Sequence, residues 1–267
     1  MNAGERDHTK PDRSRTILAL SLQDIPSLTP DVLEETCDQL KTFLFAGHDS
    51  TSSVLVWAVY ELFRTPHALQ GVREELDRLF GRDGARDPAV VRATLLAPGG
   101  DDIVRHMRYI SAVLKEVMRL HPPAGSIRVA RPGSGFVIST PDGAEYNLDG
   151  NWIYLNHNLI HRDRAVFGDS ADDFIPERWL AASAADAPPA SAWRPFERRP
   201  RNCIGQELAN IEARVIIAMV ARRYEFTKVG LGAHDLDPEG RPTVDHKGQY
   251  KVESELYSVR NSIHSST

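Results

Sequence analysis

A long helical pattern with a polar centre is the strongest constraint on how this chain can fold. The pattern begins at Thr29-Pro30-Asp31, where a hydroxyl N-cap, a proline at the first helical position and an acid in the first turn favour a helix start. It continues to about Arg64, shortly before Pro66. At 1.5 Å per residue such a helix is about 50 Å long, which is enough to cross a whole domain.

The remaining patterns predict a mainly α chain with a minor β-sheet. Proline and glycine residues bound further helical stretches, as they commonly do at helix ends. These predicted helices span residues 66–81, 90–96, 109–120 and about 204–224. Short apolar runs between turn residues predict a small sheet over 126–155. The other segments are predicted to be irregular over 156–202, with an Ala/Pro/Ser-rich loop at 181–192, and polar and hairpin-like after 224.

Composition excludes several classes of protein. The 267 residues are 41% hydrophobic and 26% charged, as in an ordinary soluble globular protein. The net charge of -5 argues against nucleic acid as a partner, because such binding depends on neutralising phosphates. Two cysteines, Cys37 and Cys203, are too few for a disulfide-stapled secreted module. Neither residues 1–15 nor the apolar window 42–63 resembles a secretory signal or a membrane anchor, so the chain as written is expected to be soluble and cytoplasmic.

Cys203 is the sharpest candidate for a chemical role. It lies just before the last predicted helix, whose positive end and free N–H groups stabilise a thiolate. Arg201 adds positive charge, and Gly205 allows the backbone to pass close to a flat partner. A thiolate is the form of cysteine that binds metal or attacks an electrophile. The alternative is a small buried hydrophobic residue, which a lone cysteine usually is, but this context favours a site.

The centre of the long helix and the helix over 109–120 carry two weaker signals. The stretch from Ala46 to Thr51 indicates either a local widening that admits a ligand or water, or a polar helix face with an incidental glycine. Glu116 and Arg119 are spaced to form an ion pair on one helix face, which is usually a surface feature. Arg178, in Pro-Glu-Arg-Trp, could complete a buried triad with them.

Together, these motifs resemble one family. The Ala-Gly-x-Asp-Ser helix, the Glu-x-x-Arg helix, the Pro-Glu-Arg-Trp segment and the Phe…Arg-x-Cys-x-Gly loop stand in the order found in cytochromes P450, the haem-thiolate monooxygenases. The chain is similar to the C-terminal half of a microsomal-type fungal member, as far as about Tyr224. The resemblance implies a partial P450 domain over 1–267, with a polar lead-in at 1–28, a haem-binding core at 29–227 and a C-terminal hairpin and tail at 228–267.

The resemblance also implies roles on the two faces of a haem b group. On the cysteine side, Cys203 would be the axial thiolate ligand of the iron, and Phe196 and Gly205 would lie against the sulfur and the ring. Arg201 would pair with a haem propionate, and Arg128 is a second candidate for that pairing.

On the opposite face, Ala46 and Gly47 would make room for dioxygen, and Asp49 and Ser50 would relay protons to it. Glu116, Arg119 and Arg178 would form a triad that supports the cysteine loop, which is a structural role.

The implied activity is the insertion of one oxygen atom from dioxygen into an organic substrate. Electrons would come from NADPH through a flavoprotein reductase, and the substrate would be small and lipophilic. Members of the family are anchored in the endoplasmic reticulum membrane, whereas no anchor is recognised in this sequence.

Three departures from the family pattern favour a second hypothesis. Arg199 replaces a glycine of the cysteine loop, Ser50 stands where threonine is usual, and a complete member is nearly twice as long. Residues 258–267 also lack an apolar closing strand. The alternative is therefore a non-catalytic remnant with weak or no haem binding. A third hypothesis is a helical binding domain whose motifs are coincidental.

Two other signals are assigned no function of their own. His157 and His161 are spaced like metal ligands on a helix, but the zinc-protease pattern fails at Asn158, so they are interpreted as surface or buried polar residues. The arginine cluster at 194–201 is interpreted as a docking face for an acidic electron-transfer partner together with propionate pairing.

Overall fold

The computed structural model of the chain describes residues 16–180, 188–198, 200–227 and 233–252. Within these ranges the protein is mainly helical with a small antiparallel β part, which confirms the predicted fold class. The α-helices are α1 (Ile17–Ser21), α2 (Pro30–Arg64), α3 (Pro66–Phe80), α4 (Pro88–Leu96), α5 (Gly100–His106), α6 (Arg108–Leu120), α7 (His157–Ile160), α8 (Arg164–Phe167) and α9 (Gln206–Val220). Short 3-10 turns lie at Gly84–Arg86, Gly168–Ser170 and Pro176–Trp179.

The long helix α2 has the predicted start and end. The N–H of Val32 donates to the side-chain oxygen of Thr29 at 3.3 Å, so Thr29 acts as the N-cap. The chain divides into two compact units between Asp49 and Ser50, inside this helix. The first unit holds α1 and the N-terminal part of α2, and the apolar side chains of α1 are largely exposed.

Helix α6 forms the centre of the second unit. It packs against α3, α9 and the 3-10 turn Pro176–Trp179. Its apolar residues at 110, 113, 114 and 117 repeat with helical spacing and are buried. The C-terminal part of α2 adds Val54, Ala58 and Leu62 to the same core. Because Glu116 and Arg119 are also buried, α6 is enclosed on nearly every side.

The β part consists of two separate two-stranded sheets, whereas the sequence predicts one. Strand β1 (Ser126–Val129) pairs with β4 (Trp152–Leu155), and β2 (Val137–Ser139) pairs with β3 (Glu145–Asn147), both antiparallel. Turns with positive φ at Gly133, Gly135 and Gly150 separate the two ladders. The β2–β3 hairpin is therefore an excursion between the strands of the first sheet.

Several short helices differ from the predictions. Helix α5 ends one residue before α6, and this break at Met107 has no proline or glycine to indicate it. Helices α7 and α8 lie in the segment predicted to be irregular, and the side chains of Asn156 and Asp163 cap their first N–H groups. Helix α9 begins at Gln206 and ends at Val220, so it is shorter than predicted at both ends.

The C-terminal segment forms antiparallel bridges within its described residues, and several other predictions fall outside the described ranges. Antiparallel bridges pair His234 with Val252, Leu236 with Pro242 and Val244 with Tyr250, as the hairpin-like prediction requires. The predictions for residues 1–15, most of the loop at 181–192, Arg199 and the tail at 258–267 concern positions outside the described residues. Among the helices that the structure describes, none is long and apolar enough to cross a membrane.

Candidate functional site

Cys203 is exposed on the loop that leads into α9. Its backbone N–H donates to the carbonyl of Phe196 at 2.8 Å, which closes the loop onto itself. The helix begins three residues later, and its N-cap, Gly205, offers no capping side chain to the first-turn N–H groups. The thiol therefore stands before the positive end of a helix, where negative charge is favoured.

Gly205 keeps the surface beside the sulfur open. A Cβ atom added at this position would lie 3.9 Å from Cys203 Sγ. The φ of Gly205 is -86°, which any residue adopts, so the backbone does not require glycine here. What the glycine provides is space next to the thiol.

A small cleft of about 30 Å³ lies between the C-terminal part of α2, α6, the cysteine loop and α9 within the second unit. Ser50 and Thr51 contribute two hydroxyl groups to its wall, and Asn210 contributes an amide. The rest of the lining is apolar. Its members are Val54, Leu114, Met118, Pro123, Phe196, Ala209 and Ala213.

Glu197 organises the other side of the cysteine loop. Its φ is 59°, in the left-handed region, and no other non-glycine residue in the described ranges has a positive φ. This backbone conformation marks a tight bend. Its carboxylate accepts hydrogen bonds from Arg194 Nε at 2.9 Å and from Arg128 Nη2 at 3.1 Å. Burial opposes the charge, but the hydrogen bonds from Arg194 and Ser126 lower the pKa of Glu197 overall. Arg128 therefore has a carboxylate partner in this structure.

The two arginines that flank the cysteine loop at 198 and 201 have a different environment. Both Arg198 and Arg201 are exposed, and no salt bridge involves either of them among the described residues. Arg201 is thus available to an anionic group, whereas Arg128 would have to share or exchange its partner Glu197.

Glu116, Arg119 and Arg178 lie together behind this loop. The side chains of Glu116 and Arg119 are 0% exposed, and Arg119 donates from Nη2 and Nε to the two carboxylate oxygens at 2.8 and 2.9 Å. Arg178 Nε donates to the same carboxylate at 2.9 Å. Two guanidinium groups thus bind one carboxylate, and their positive charge fully compensates its negative charge.

Further donors and acceptors complete this cluster. Glu116 also accepts from the indole N–H of Trp179 at 2.8 Å and from the backbone N–H of Ile175 at 3.0 Å. The guanidinium of Arg119 donates to three backbone carbonyls, those of His161, Ala171 and Asp173. The cluster therefore joins α6 to three stretches of the segment 161–179.

The four residues predicted near dioxygen fall in both units. Ala46, Gly47 and Asp49 belong to the first unit and are exposed, whereas Ser50 begins the second unit and lines the cleft. This stretch lies within α2, and the local widening that admits a ligand or water stays a prediction. A Cβ on Gly47 would meet no atom within 4 Å.

His157 and His161, which the sequence predicts to be surface or buried polar residues, are buried. His157 is 2% exposed and His161 is 0% exposed, and their rings stack with centroids 5.6 Å apart. His157 Nδ1 bonds to the carbonyl of Ala124 at 2.9 Å. Among the described residues, no group of three or more His, Cys, Asp or Glu side chains could hold a metal ion.

Sequence reasoning missed several members of the site. Trp179 follows Arg178 directly in the Pro-Glu-Arg-Trp segment, and that position next to a predicted member of the triad is the signal that could have included it. Glu197 is a single acid among the arginines of the cysteine loop, which is a visible signal for a local ion pair. Thr51 follows Ser50 directly and lines the same cleft, and its hydroxyl could have been included on that ground.

These features together define a class of protein. A mainly α fold, an exposed cysteine ahead of a helix, an apolar cleft to which the cysteine loop contributes Phe196, and a Glu-Arg-Arg cluster are the features of a haem-thiolate protein. A family model for Cytochrome P450 matches residues 5–252, and the chain belongs to the cytochrome P450 family.

Curated fungal relatives agree with this assignment. The chain is 38% identical over 207 residues to the cytochrome P450 monooxygenase acrF of Aspergillus aculeatus, covering 71% of this chain and 40% of the relative. It is 35% identical over 189 residues to the cytochrome P450 monooxygenase polC of Polytolypa hystricis, covering 70% and 32%. A bifunctional cytochrome P450/NADPH–P450 reductase of Gibberella moniliformis is 33% identical over 196 residues, covering 73% and 16%. The matched region thus spans well under half the length of these relatives.

Proposed function

We propose that this chain carries the haem-binding part of a monooxygenase and that the thiolate of Cys203 would hold the iron of haem b. One observation carries the proposal. Cys203 is exposed and lies three residues ahead of α9, and its backbone N–H donates to the carbonyl of Phe196, which also lines the apolar cleft. A soft thiolate ligand with space beside it suits a haem iron.

The residues around Cys203 fit this cofactor. Gly205 leaves room beside the sulfur, and the aromatic ring of Phe196 excludes water from part of the wall. Arg201 is exposed and would pair with one propionate. Arg128 would pair with a propionate by sharing its present contact with Glu197. Ala46 and Gly47 would leave space on the opposite face of the ring, as the family resemblance implies.

When bound, a thiolate-ligated haem supplies the activation of dioxygen, with one atom inserted into a C–H bond and the other reduced to water. The balance requires two electrons and two protons for each turnover. Ser50 would donate its hydroxyl proton at the cleft and regain one from solvent by way of the exposed Asp49, as the family resemblance implies. Glu116, Arg119 and Arg178 would act only by holding the segment behind the cysteine loop.

The electrons would come from NADPH through a flavoprotein reductase. One relative carries P450 and NADPH–P450 reductase in a single chain, which supports this source. The exposed side chains of Arg198 and Arg201 offer positive charge next to the cysteine loop, where an acidic electron-transfer partner would dock. The apolar lining of the cleft supports a small lipophilic organic substrate.

The experiment that tests the proposal is spectroscopic. The purified chain is mixed with haem, reduced and exposed to carbon monoxide. We expect the strongly red-shifted Soret band of thiolate ligation, and we expect Cys203→Ser to abolish it. Cys37→Ser is the matched control, because Cys37 is the other cysteine of the chain and is also exposed.

Two results would contradict the proposal. One is a red-shifted band that survives in Cys203→Ser, which would exclude this residue as the ligand. The other is a chain that binds no haem, or binds it with a band typical of nitrogen ligation. That outcome would favour the alternative, a non-catalytic member of the family.

A further inference from the structure

His161 connects the buried Glu116–Arg119 pair to the cysteine loop. It is 0% exposed, and its backbone carbonyl accepts a hydrogen bond from Arg119 Nη1 at 2.9 Å. Its ring Nε2 accepts a hydrogen bond from the backbone N–H of Arg194 at 3.0 Å. One residue thus bonds to the cluster through its main chain and to the loop through its side chain.

The second of these hydrogen bonds defines the state of the ring. Because Nε2 accepts a hydrogen bond from the backbone N–H of Arg194, the ring must be neutral and carry its proton on Nδ1. Burial, together with the neighbouring His157, lowers the pKa of His161 to about 4. The acceptor is therefore present throughout the neutral pH range.

Arg194 begins a short stretch of backbone that is hydrogen-bonded to the N–H of Cys203. Its guanidinium bonds to Glu197, which carries the tight bend of the loop. Two residues after Arg194, the carbonyl of Phe196 holds the N–H of Cys203 at 2.8 Å. The stretch 194–196 is thus bonded to His161 at one end and to Cys203 at the other.

We propose that His161 is a positioning residue for Cys203: its ring holds the backbone of Arg194 and thereby fixes the Phe196 carbonyl that orients the cysteine. The functional meaning of this connection rests on the proposed role of Cys203 as the iron ligand. The connection itself concerns hydrogen bonds of this chain and is testable without haem. Through His161, the Glu116–Arg119 pair would help to hold the cysteine loop as well as residues 161–179.

His157 provides a matched comparison for a purely structural effect. It is nearly as buried as His161 and stacks on its ring. Its Nδ1 bonds to the carbonyl of Ala124, which precedes β1 and lies outside the cysteine loop. Replacing His157 removes a similar ring from the same place without removing the acceptor for Arg194.

The test is backbone amide hydrogen exchange in the haem-free full chain, read at Arg194 and Cys203. His161→Phe retains a ring of similar size but removes the acceptor, so exchange at both amides should accelerate by roughly tenfold. His161→Gln places an oxygen near the position of Nε2 and should restore slow exchange. His157→Phe should leave both amides within about twofold of the parent chain, after correction for any change in global stability.

A set of outcomes would overturn the proposal. Unchanged exchange at Cys203 in His161→Phe would do so, and so would equal acceleration in His157→Phe. If His161→Phe does not fold, His161→Asn replaces it, because an asparagine oxygen lies near Nδ1 and cannot reach Arg194. Equal protection of the Arg194 amide in the Asn and Gln variants would then count against the connection. A chain that fails to bind haem would count against the proposed function while leaving this exchange result standing.

Discussion

The carboxylate of Glu116 accepts hydrogen bonds from two arginines, one indole and one backbone N–H in a place without solvent contact. Burying two charges is costly, so the pair stabilises the fold only because every lone pair and every guanidinium proton finds a partner. The main effect of such a cluster is to hold separate segments in one arrangement. Here those segments are α6 and residues 161–179.

Removing one partner of this pair should be strongly destabilising. Arg119→Ala leaves the Glu116 carboxylate buried without its bidentate partner and removes the donor to three carbonyls. We expect the free energy of unfolding to fall by about 3–5 kcal/mol, measured by urea denaturation. The control is Arg105→Ala, which breaks exposed ion pairs with Asp101 and Asp102 and should cost less than about 1 kcal/mol. Equal losses in the two variants would contradict this account.

The buried ring of His161 should make stability depend on pH. Its pKa is lowered to about 4 in the folded chain, first by burial and then by the charges of His157 and Arg119, against a usual value of 6.5. Between these values the unfolded chain binds more protons, so the free energy of unfolding rises with pH and falls on acidification. The contribution is complete above about 6.5 and is lost progressively between 6.5 and 4, at up to about 1.4 kcal/mol per pH unit.

Urea unfolding at a series of pH values from 4 to 7 measures this dependence. His161→Gln should flatten the curve over that interval. His106→Gln, which removes an exposed histidine, should leave the slope as in the parent chain. A slope that is unchanged in His161→Gln would assign the acid sensitivity to other groups.

Residue-scale prediction from sequence succeeded where the partners are close along the chain. Glu116 and Arg119 are three residues apart on a helix, and their spacing alone predicts contact. The bond between Arg119 and His161 joins residues 42 positions apart, and the one between Glu116 and Trp179 joins residues 63 positions apart. Such pairs depend on how segments pack, which no local pattern encodes.

At the scale of elements, α6 begins without a cap of its own. Its N-cap residue, Met107, offers no side-chain hydrogen bond to the first turn. The carboxylate of Glu75, on α3, accepts instead from the N–H groups of Tyr109 and Ile110 at 2.7 and 2.9 Å. A negative charge at this end of a helix is also favoured by the helix dipole. Helix α3 thus caps the helix that carries Glu116 and Arg119.

Glu75→Ala should therefore destabilise the chain and expose the start of α6. The loss of hydrogen bonds to one buried and one partly buried N–H group should lower the free energy of unfolding by about 2–3 kcal/mol. Amide exchange at Tyr109 and Ile110 should accelerate beyond the change in global stability. Glu74→Ala, which alters an exposed neighbour bonded to Gln70, should do neither. Protected amides at 109 and 110 in Glu75→Ala would refute the capping role.

The distance along the chain between a helix end and its capping partner explains which helix ends the sequence could predict. The bounds of α2 and α3 are marked by proline, threonine and glycine, and these signals act within a few residues. The break between α5 and α6 has a cap supplied from another helix, so nothing near Met107 marks it. The splitting of the β part into two sheets likewise depends on pairing between strands that are distant in the chain.

At the scale of the whole molecule, α9 presents an apolar stripe to solvent. Ile204, two residues before the helix, is 91% exposed, and Leu208 and Ile211 on α9 are 61% and 39% exposed. The spacing of Leu208 and Ile211 places them on one helix face, and Ile204 extends this apolar stripe toward the cysteine loop. Clustered apolar side chains of this kind promote association, whereas isolated ones are common on protein surfaces.

The isolated chain should therefore self-associate in a concentration-dependent way through this stripe. We expect light scattering coupled to size-exclusion chromatography to give an apparent mass that rises with protein concentration. The double variant Ile204→Ser, Leu208→Ser should lower that apparent mass at every concentration, because it removes the two most exposed members of the stripe. Leu96→Ser is the control, since Leu96 is 74% exposed but lies on α4. If this control reduces association as much as the double variant, general hydrophobicity and not the α9 stripe drives it.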